Sequence, residues 1–297
     1  MVQLAISNDL SAALPATRMT RGTVRMLVMA VFGVLTCLSA RPLAAQTDYY
    51  NTDRGRPVQI EDAYATERHA FELKLAPVRL ERSNGGIYNW GVEPEVAYGI
   101  LPRTHVEVGV PIAYMDLGGA GRRSGIAGID LSLMHNLNVE SRTLPALGVR
   151  VDVLAPVGNL APDRAYASLT GMATRTYSWM RFHVNGQYTF GAEPTVTVET
   201  ASRAVEQSRW LAGIAADKTF PLNSLLLTGE VFAQQPLASS GPVEYTVGTG
   251  VRYQRSPTLA VDAGLGRRLT GDDRAWYVTF GTAYAFGLAS LIPTGGR

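Results

Sequence analysis

Side chains that could do nucleophilic, acid–base or metal chemistry are few in this sequence. There are four histidines, His69, His105, His135 and His183, and one cysteine, Cys37, so neither an intramolecular disulfide framework nor a cysteine-rich zinc site can form. Hydrolytic chemistry needs a nucleophile within hydrogen-bond reach of a base. His135 follows Ser132 by three residues, which on a strand puts the two on opposite faces, and His105 and His183 have no partner evident in the sequence. No Gly-x-Ser-x-Gly elbow, His-Glu-x-x-His helix, phosphate-binding loop or EF-hand pattern occurs. The expectation is therefore no catalytic residue, no metal and no cofactor.

A different set of polar residues is present, spaced among apolar ones: Glu93, Glu95, Glu107, Asp130, Arg150, Asp152, His183, Glu230, Arg252 and Asp262. Fixed on one side of a sheet, such groups can line a polar passage and select solutes by charge. They can equally pair with Arg150, Arg181 or Arg252 and fill a narrow interior. The spacing leaves both uses open.

The elements that must position these groups are strands. From Phe71 onward, period-two alternation recurs and helical spacing does not persist. Val92, Pro94, Val96, Tyr98 and Ile100 alternate with Glu93, Glu95, Ala97 and Gly99; Val106, Val108 and Val110 with Glu107 and Gly109; Tyr245, Val247, Thr249, Val251 and Tyr253 with Thr246, Gly248, Gly250 and Arg252. The alternation predicts twelve strands, near 70–80, 88–100, 105–115, 126–138, 146–156, 167–177, 180–190, 209–219, 225–234, 243–254, 259–269 and 275–286. Each is about ten residues long, the length of a tilted strand crossing a bilayer. Short connections such as 101–104 and 255–258 alternate with longer ones such as 157–166 and 191–208. That layout predicts a closed antiparallel transmembrane β-barrel with both termini at the short-turn, periplasmic end. Trp90, Tyr98, Tyr114, Tyr188, Phe190, Tyr253, Trp276, Tyr284 and Phe286 fall where interfacial girdles would lie. The ten polar residues then face the lumen, and five of the acids lie on four consecutive strands with Arg150 among them.

Composition agrees with this and excludes other classes. Charged residues make up 18%, below the roughly 25% of soluble domains. A net charge of +2 gives no basis for a nucleic-acid partner. Arg18, Arg21 and Arg25 precede an apolar run from Met26 to Ala40, and Ala44 and Ala45 offer a small-residue cleavage site, so residues 1–45 are expected to be a secretory signal, with Met19 as a possible true start. The run is shorter than the ~20 residues of a transmembrane helix. Val34-Leu35-Thr36 before Cys37 lacks the small residue expected of a lipidation site. Removing the leader leaves 252 residues with 23 basic and 24 acidic side chains and no cysteine. Residues 46–69 then form a polar periplasmic arm, expected to be solvated, with a plug or gate as its other use. The barrel takes 70–286 and a tail 287–297.

Two resemblances accompany these patterns. The last strand, Thr279-Phe280-Gly281-Thr282-Ala283-Tyr284-Ala285-Phe286, resembles the terminal signal read by the outer-membrane assembly machinery, with Thr279, Gly281, Tyr284 and Phe286 at its specified positions and eleven residues following it. Gly125-Ile126-Ala127-Gly128-Ile129-Asp130-Leu131, Leu144-Pro145-Ala146-Leu147-Gly148-Val149, Leu154-Ala155-Pro156-Val157-Gly158 and the closing strand resemble the phenol-degradation meta-pathway family of outer-membrane proteins, with Ile129 interrupting that family's Gly-Asp pair. This resemblance covers most of 65–287 and implies a channel or transporter in a Gram-negative outer membrane, with lipid, the assembly machinery and small-molecule solutes as partners and no catalytic residues. The alternatives are a barrel enzyme acting on lipid and a structural or adhesive barrel with a closed lumen.

Overall fold

The computed structural model describes residues 42–43, 51–82, 88–116, 121–192, 207–237, 242–271 and 274–288. The remainder of the expected leader, the first residues of the arm and the tail beyond Leu288 lie outside the described residues. Twelve strands form the barrel wall. They are β1 (Ala70–Arg82), β2 (Tyr88–Leu101), β3 (Thr104–Gly109 and Ile112–Asp116), β4 (Arg122–Ile126 and Ile129–Asn138), β5 (Ala146–Ala155) and β6 (Tyr166–Thr176). They continue as β7 (Arg181–Phe190), β8 (Ser208–Phe220), β9 (Leu225–Pro236), β10 (Glu244–Ser256), β11 (Leu259–Arg268) and β12 (Trp276–Leu288). Each pairs antiparallel with the next, and β12 pairs with β1, from Trp276 opposite Arg82 to Gly287 opposite Ala70, which closes the sheet. Closure leaves no unpaired edge, the condition for a sheet to stand in lipid.

The structure adds breaks that the alternation did not reveal. β3 is interrupted at Val110 and Pro111 and β4 at Ala127 and Gly128, and the two gaps lie side by side on paired strands. Proline cannot donate to the ladder, so the pairing re-forms only beyond it. β4 also begins at Arg122 rather than near 126, which shortens the connection expected over 116–125.

The two faces of the wall differ as the alternation requires. On β4, Leu131 and Leu133 are 45% and 46% exposed while Ser132 between them is 6% exposed. The outward face carries Val151, Leu169, Val184, Ile214, Leu227, Val231, Val247, Val261, Leu265 and Phe280, all exposed. An apolar belt of this kind is stable only against lipid. Aromatic side chains sit toward its two margins: Trp90 stacks on Tyr114 near the longer loops, and Phe71 stacks between Tyr98 and Phe286 near the shorter turns.

The solvated arm is the main point on which structure and expectation differ. Val58, Ile60, Ala63, Arg56 and Asp62 are buried, Ile60 and Ala63 completely. Residues 51–66 lie inside the barrel, while Glu67 and Arg68 are exposed. The physical reason is that the inward face is not uniformly polar. Ile60 packs with Leu211, Ala215 and Phe232, and Ala63 with Met134, Ala146 and Met172, apolar side chains that would otherwise face water in the lumen. Inward glycines make the room. A Cβ on Gly250 would stand 2.5 Å from Cβ of Pro57, and one on Gly213 2.6 Å from Cδ1 of Ile60.

Candidate functional site: the barrel lumen and the arm within it

The site is built from alternate residues of the wall and from a segment that turns back into it. The arm runs inward from β1: His69 N–H donates to the Gly99 carbonyl, and Thr66 N–H donates to Nδ1 of His105. Farther in, Ala63 N–H donates to Thr174 Oγ1 and Glu61 N–H to Asn185 Oδ1, and the Asn136 and Asn185 amides donate back to the carbonyls of Ala63 and Glu61. Gln59 and Ile60 N–H both donate to Oε2 of Glu230, at 2.8 and 2.9 Å. The Thr279 hydroxyl donates to the Pro57 carbonyl. The chain then folds back, with Asp62 N–H donating to the Thr52 carbonyl and Thr52 N–H to the Asp62 carboxylate. In this way the backbone donors and acceptors of an irregular segment are satisfied where water is scarce.

All ten residues expected to line the lumen are on the inward face, and six of them come together on β2 to β5. Lys74 is within 3.0 Å of Glu107, 3.6 Å of Glu95 and 3.2 Å of Asp53 on the arm. Arg150 reaches Asp152 at 2.6 Å, Glu61 of the arm at 3.1 Å and Glu107 at 3.7 Å. Asp152 also accepts the hydroxyls of Ser132 and Ser168. Asp130 and Asp152 both hold the guanidinium of Arg54, at 3.2 and 3.3 Å. Glu93 lies in the same sector, and its Oε1 is buried without a hydrogen bond. The other four residues are spread around the wall. Arg252 pairs with Asp53 and lies 3.8 Å from Glu72, Asp262 lies 3.5 Å from Arg56, and Glu230 receives the two arm amides.

His183 acquires partners that sequence spacing did not show. Its Nε2 lies 2.7 Å from Asp217, which also binds Arg181 through both oxygens, and its Nδ1 lies 3.0 Å from Thr174 Oγ1. The Asp217 carboxylate only accepts, so Nε2 of His183 is the donor toward it, and Thr174 Oγ1 lies beside Nδ1 while accepting Ala63 N–H. His135 instead meets Thr104, and Ser132 serves Asp152, so the two stay apart. Lys74, Asp217, Thr174 and the arm residues Arg54, Arg56 and Glu61 were not singled out by sequence. For Lys74 the signal was present, because it alternates with Leu73 and Leu75. For the arm there was none, because its residues have no period.

The arm's own charges are tuned by this surrounding. Burial alone would raise the Asp53 carboxyl, but Lys74, Arg56 and Arg252 together hold it well below the ordinary carboxylate range. Burial raises Glu61 against the pull of Arg150 and Arg54, and burial likewise raises Asp62.

A closed antiparallel barrel with an apolar outside and a charged, side-chain-filled inside is an outer-membrane β-barrel. Residues 88–286, from β2 through nearly all of β12, match the family model described as "Putative MetA-pathway of phenol degradation", and the chain belongs to that family. A search of curated proteins returns no match. Among solved structures, an outer membrane channel from Pseudomonas putida F1 is similar at 14% identity and a TM-score of 0.49, covering 79% of this chain and 100% of that one. The KdgM porin is similar at 11% identity and a TM-score of 0.47, over 72% of this chain and 99% of that one. The outer membrane phospholipase A of Escherichia coli is similar at 11% identity and a TM-score of 0.40, over 82% and 98%.

Proposed function

We propose that the protein is an outer-membrane channel that passes small solutes through a polar, partly acidic lumen, and that residues 51–66 close it in the state described. The observation that carries this reading is the set of inward polar and charged side chains, Glu93, Glu95, Glu107, Asp130, Arg150, Asp152, His183, Glu230, Arg252 and Asp262, inside a wall whose outside is apolar. A barrel needed only for its outer surface could fill its interior with apolar side chains at lower cost than with buried charges. The arm is held by hydrogen bonds and ion pairs that water can replace, which suits a segment that leaves and returns. Outer-membrane lipid would contact the outward belt. Thr279, Gly281, Tyr284 and Phe286 of β12 would be read by the assembly machinery.

Planar-bilayer recording tests the reading. Protein purified from outer membranes is expected to be mostly closed, and a variant lacking residues 51–64 to conduct steadily. An arm-free barrel that folds, inserts and carries no current would reject the channel.

A further inference from the structure

The carboxylates that hold Arg54 border a space that the arm leaves empty. A cavity of about 90 Å³ adjoins the arm, and its lining includes Arg54, Glu93, Asp130, Asp152, Tyr166 and Ser168. Two polar groups of that lining have nothing to bond. Oε1 of Glu93 and the phenol oxygen of Tyr166 make no hydrogen bond, and Tyr166 is only 1% exposed. Leaving buried polar atoms unpaired is costly, and such atoms cluster where a ligand is expected to complete the site.

The one ligand-like group already present is a guanidinium. Arg54 does not belong to the wall, yet its Nη1 and Nη2 bridge Asp152 and Asp130 at 3.3 and 3.2 Å. Among the described residues, Arg54 is the cation in ion-pair contact with Asp130, so withdrawal of the arm takes away that carboxylate's direct partner. Asp152 differs, because Arg150, Ser132 and Ser168 keep it fixed in place whatever the arm does. A preoriented carboxylate beside one without its direct partner suits a planar, forked donor.

We propose that Glu93, Asp130 and Asp152, with Tyr166 beside them, form a binding site for a solute bearing a guanidinium or primary ammonium group, and that Arg54 occupies it as a tethered competitor. The inference rests on the channel reading, since the solute reaches the cradle through the lumen. Asp130 and Asp152 take the place around the solute that they hold around Arg54, and Glu93 Oε1 supplies a further acceptor. An anionic solute meets the carboxylates of Asp130 and Asp152 and is repelled.

Agmatine is the probe and N-butylurea its uncharged counterpart, titrated calorimetrically into the purified protein, with circular dichroism confirming the β-sheet fold of each variant. Agmatine is expected to bind and N-butylurea not. Arg54→Gln is expected to tighten agmatine at least about tenfold, because more molecules then have a vacant site. In that background Asp130→Asn and Glu93→Gln are each expected to weaken it at least about tenfold. No agmatine binding, equal affinity with and without Arg54, or indifference to Asp130→Asn would overturn the proposal. Conductance of the variant lacking residues 51–64 separates the two readings. A pore without agmatine binding rejects the site and keeps the channel; agmatine binding without a pore keeps the site and rejects the channel.

Discussion

Two regions of the lumen are built on opposite principles. Around the arm, charges are matched: Lys74 faces Glu107 and Asp53, Arg150 faces Asp152 and Glu61, and Asp217 faces Arg181. In the cavity beside it, Glu93 Oε1 and the Tyr166 phenol oxygen are buried without a hydrogen bond. The difference teaches where to look for each property. Matched charge with inward apolar residues and glycine gaps marks a surface shaped for a segment of the chain itself. Buried oxygens left unpaired mark a surface shaped for something that the chain does not itself provide.

The largest effect should come from fixing the boundary between these regions. A Cβ on Gly148 would lie 3.4 Å from that of Ala63, close to disulfide geometry, and the chain's only cysteine is in the expected leader. The double variant Ala63→Cys, Gly148→Cys is expected to stay shut when oxidised and to recover wild-type openings when reduced, read as single-channel current. Gly250→Val should do the reverse, since its side chain would collide with Pro57 and expel the arm. Currents insensitive to both changes would mean that the arm is not the closure.

Breaking the matched region should cost stability. Glu107→Gln leaves Lys74 and Arg150 short of a counter-charge and should cost about 3–5 kcal/mol in urea unfolding from lipid vesicles. On the outer face, Leu133→Arg near the middle of β4 should cost about 2–4 kcal/mol by the same measurement. Glu93→Gln, beside the cavity, should cost under about 1 kcal/mol, because no ion pair is lost. If Glu93→Gln proves as damaging as Glu107→Gln, the contrast between the regions fails.

Acidity should give the smallest effect and a definite sign. Glu61 and Asp62 have raised pKa values when the arm is docked, so docking binds protons. Docking should therefore strengthen as pH falls through those raised values and level off once the ordinary carboxylate range is passed. Asp53 is lowered, so its contribution is complete above the ordinary carboxylate range and is lost only in strong acid. Open probability is then expected to fall on mild acidification, and a rise would contradict the assignment of these groups to docking.

Strand number, membrane-facing side and the inward set were legible because a strand forces alternate residues to opposite faces, and lipid penalises error on one of them. Glu107 between Val106 and Val108, or Arg252 between Val251 and Tyr253, can be read without coordinates. The break at Val110 and Pro111 was visible only as a proline, and its alignment with the gap at Ala127 and Gly128 required the register. The arm was misread because it has no period and its charges suit water as well as they suit a lumen.

The sequence by itself therefore determined a twelve-stranded closed barrel and which side chains point inward, since both follow from local alternation. Tertiary structure alone decided that Arg54 reaches Asp130, that His183 meets Asp217, and that Ile60 fills the space beside Gly213. Those partners are 34 to 153 residues apart along the chain: His183 and Asp217 meet through the antiparallel register of β7 and β8, and the other two pairs through the position of the arm inside the barrel.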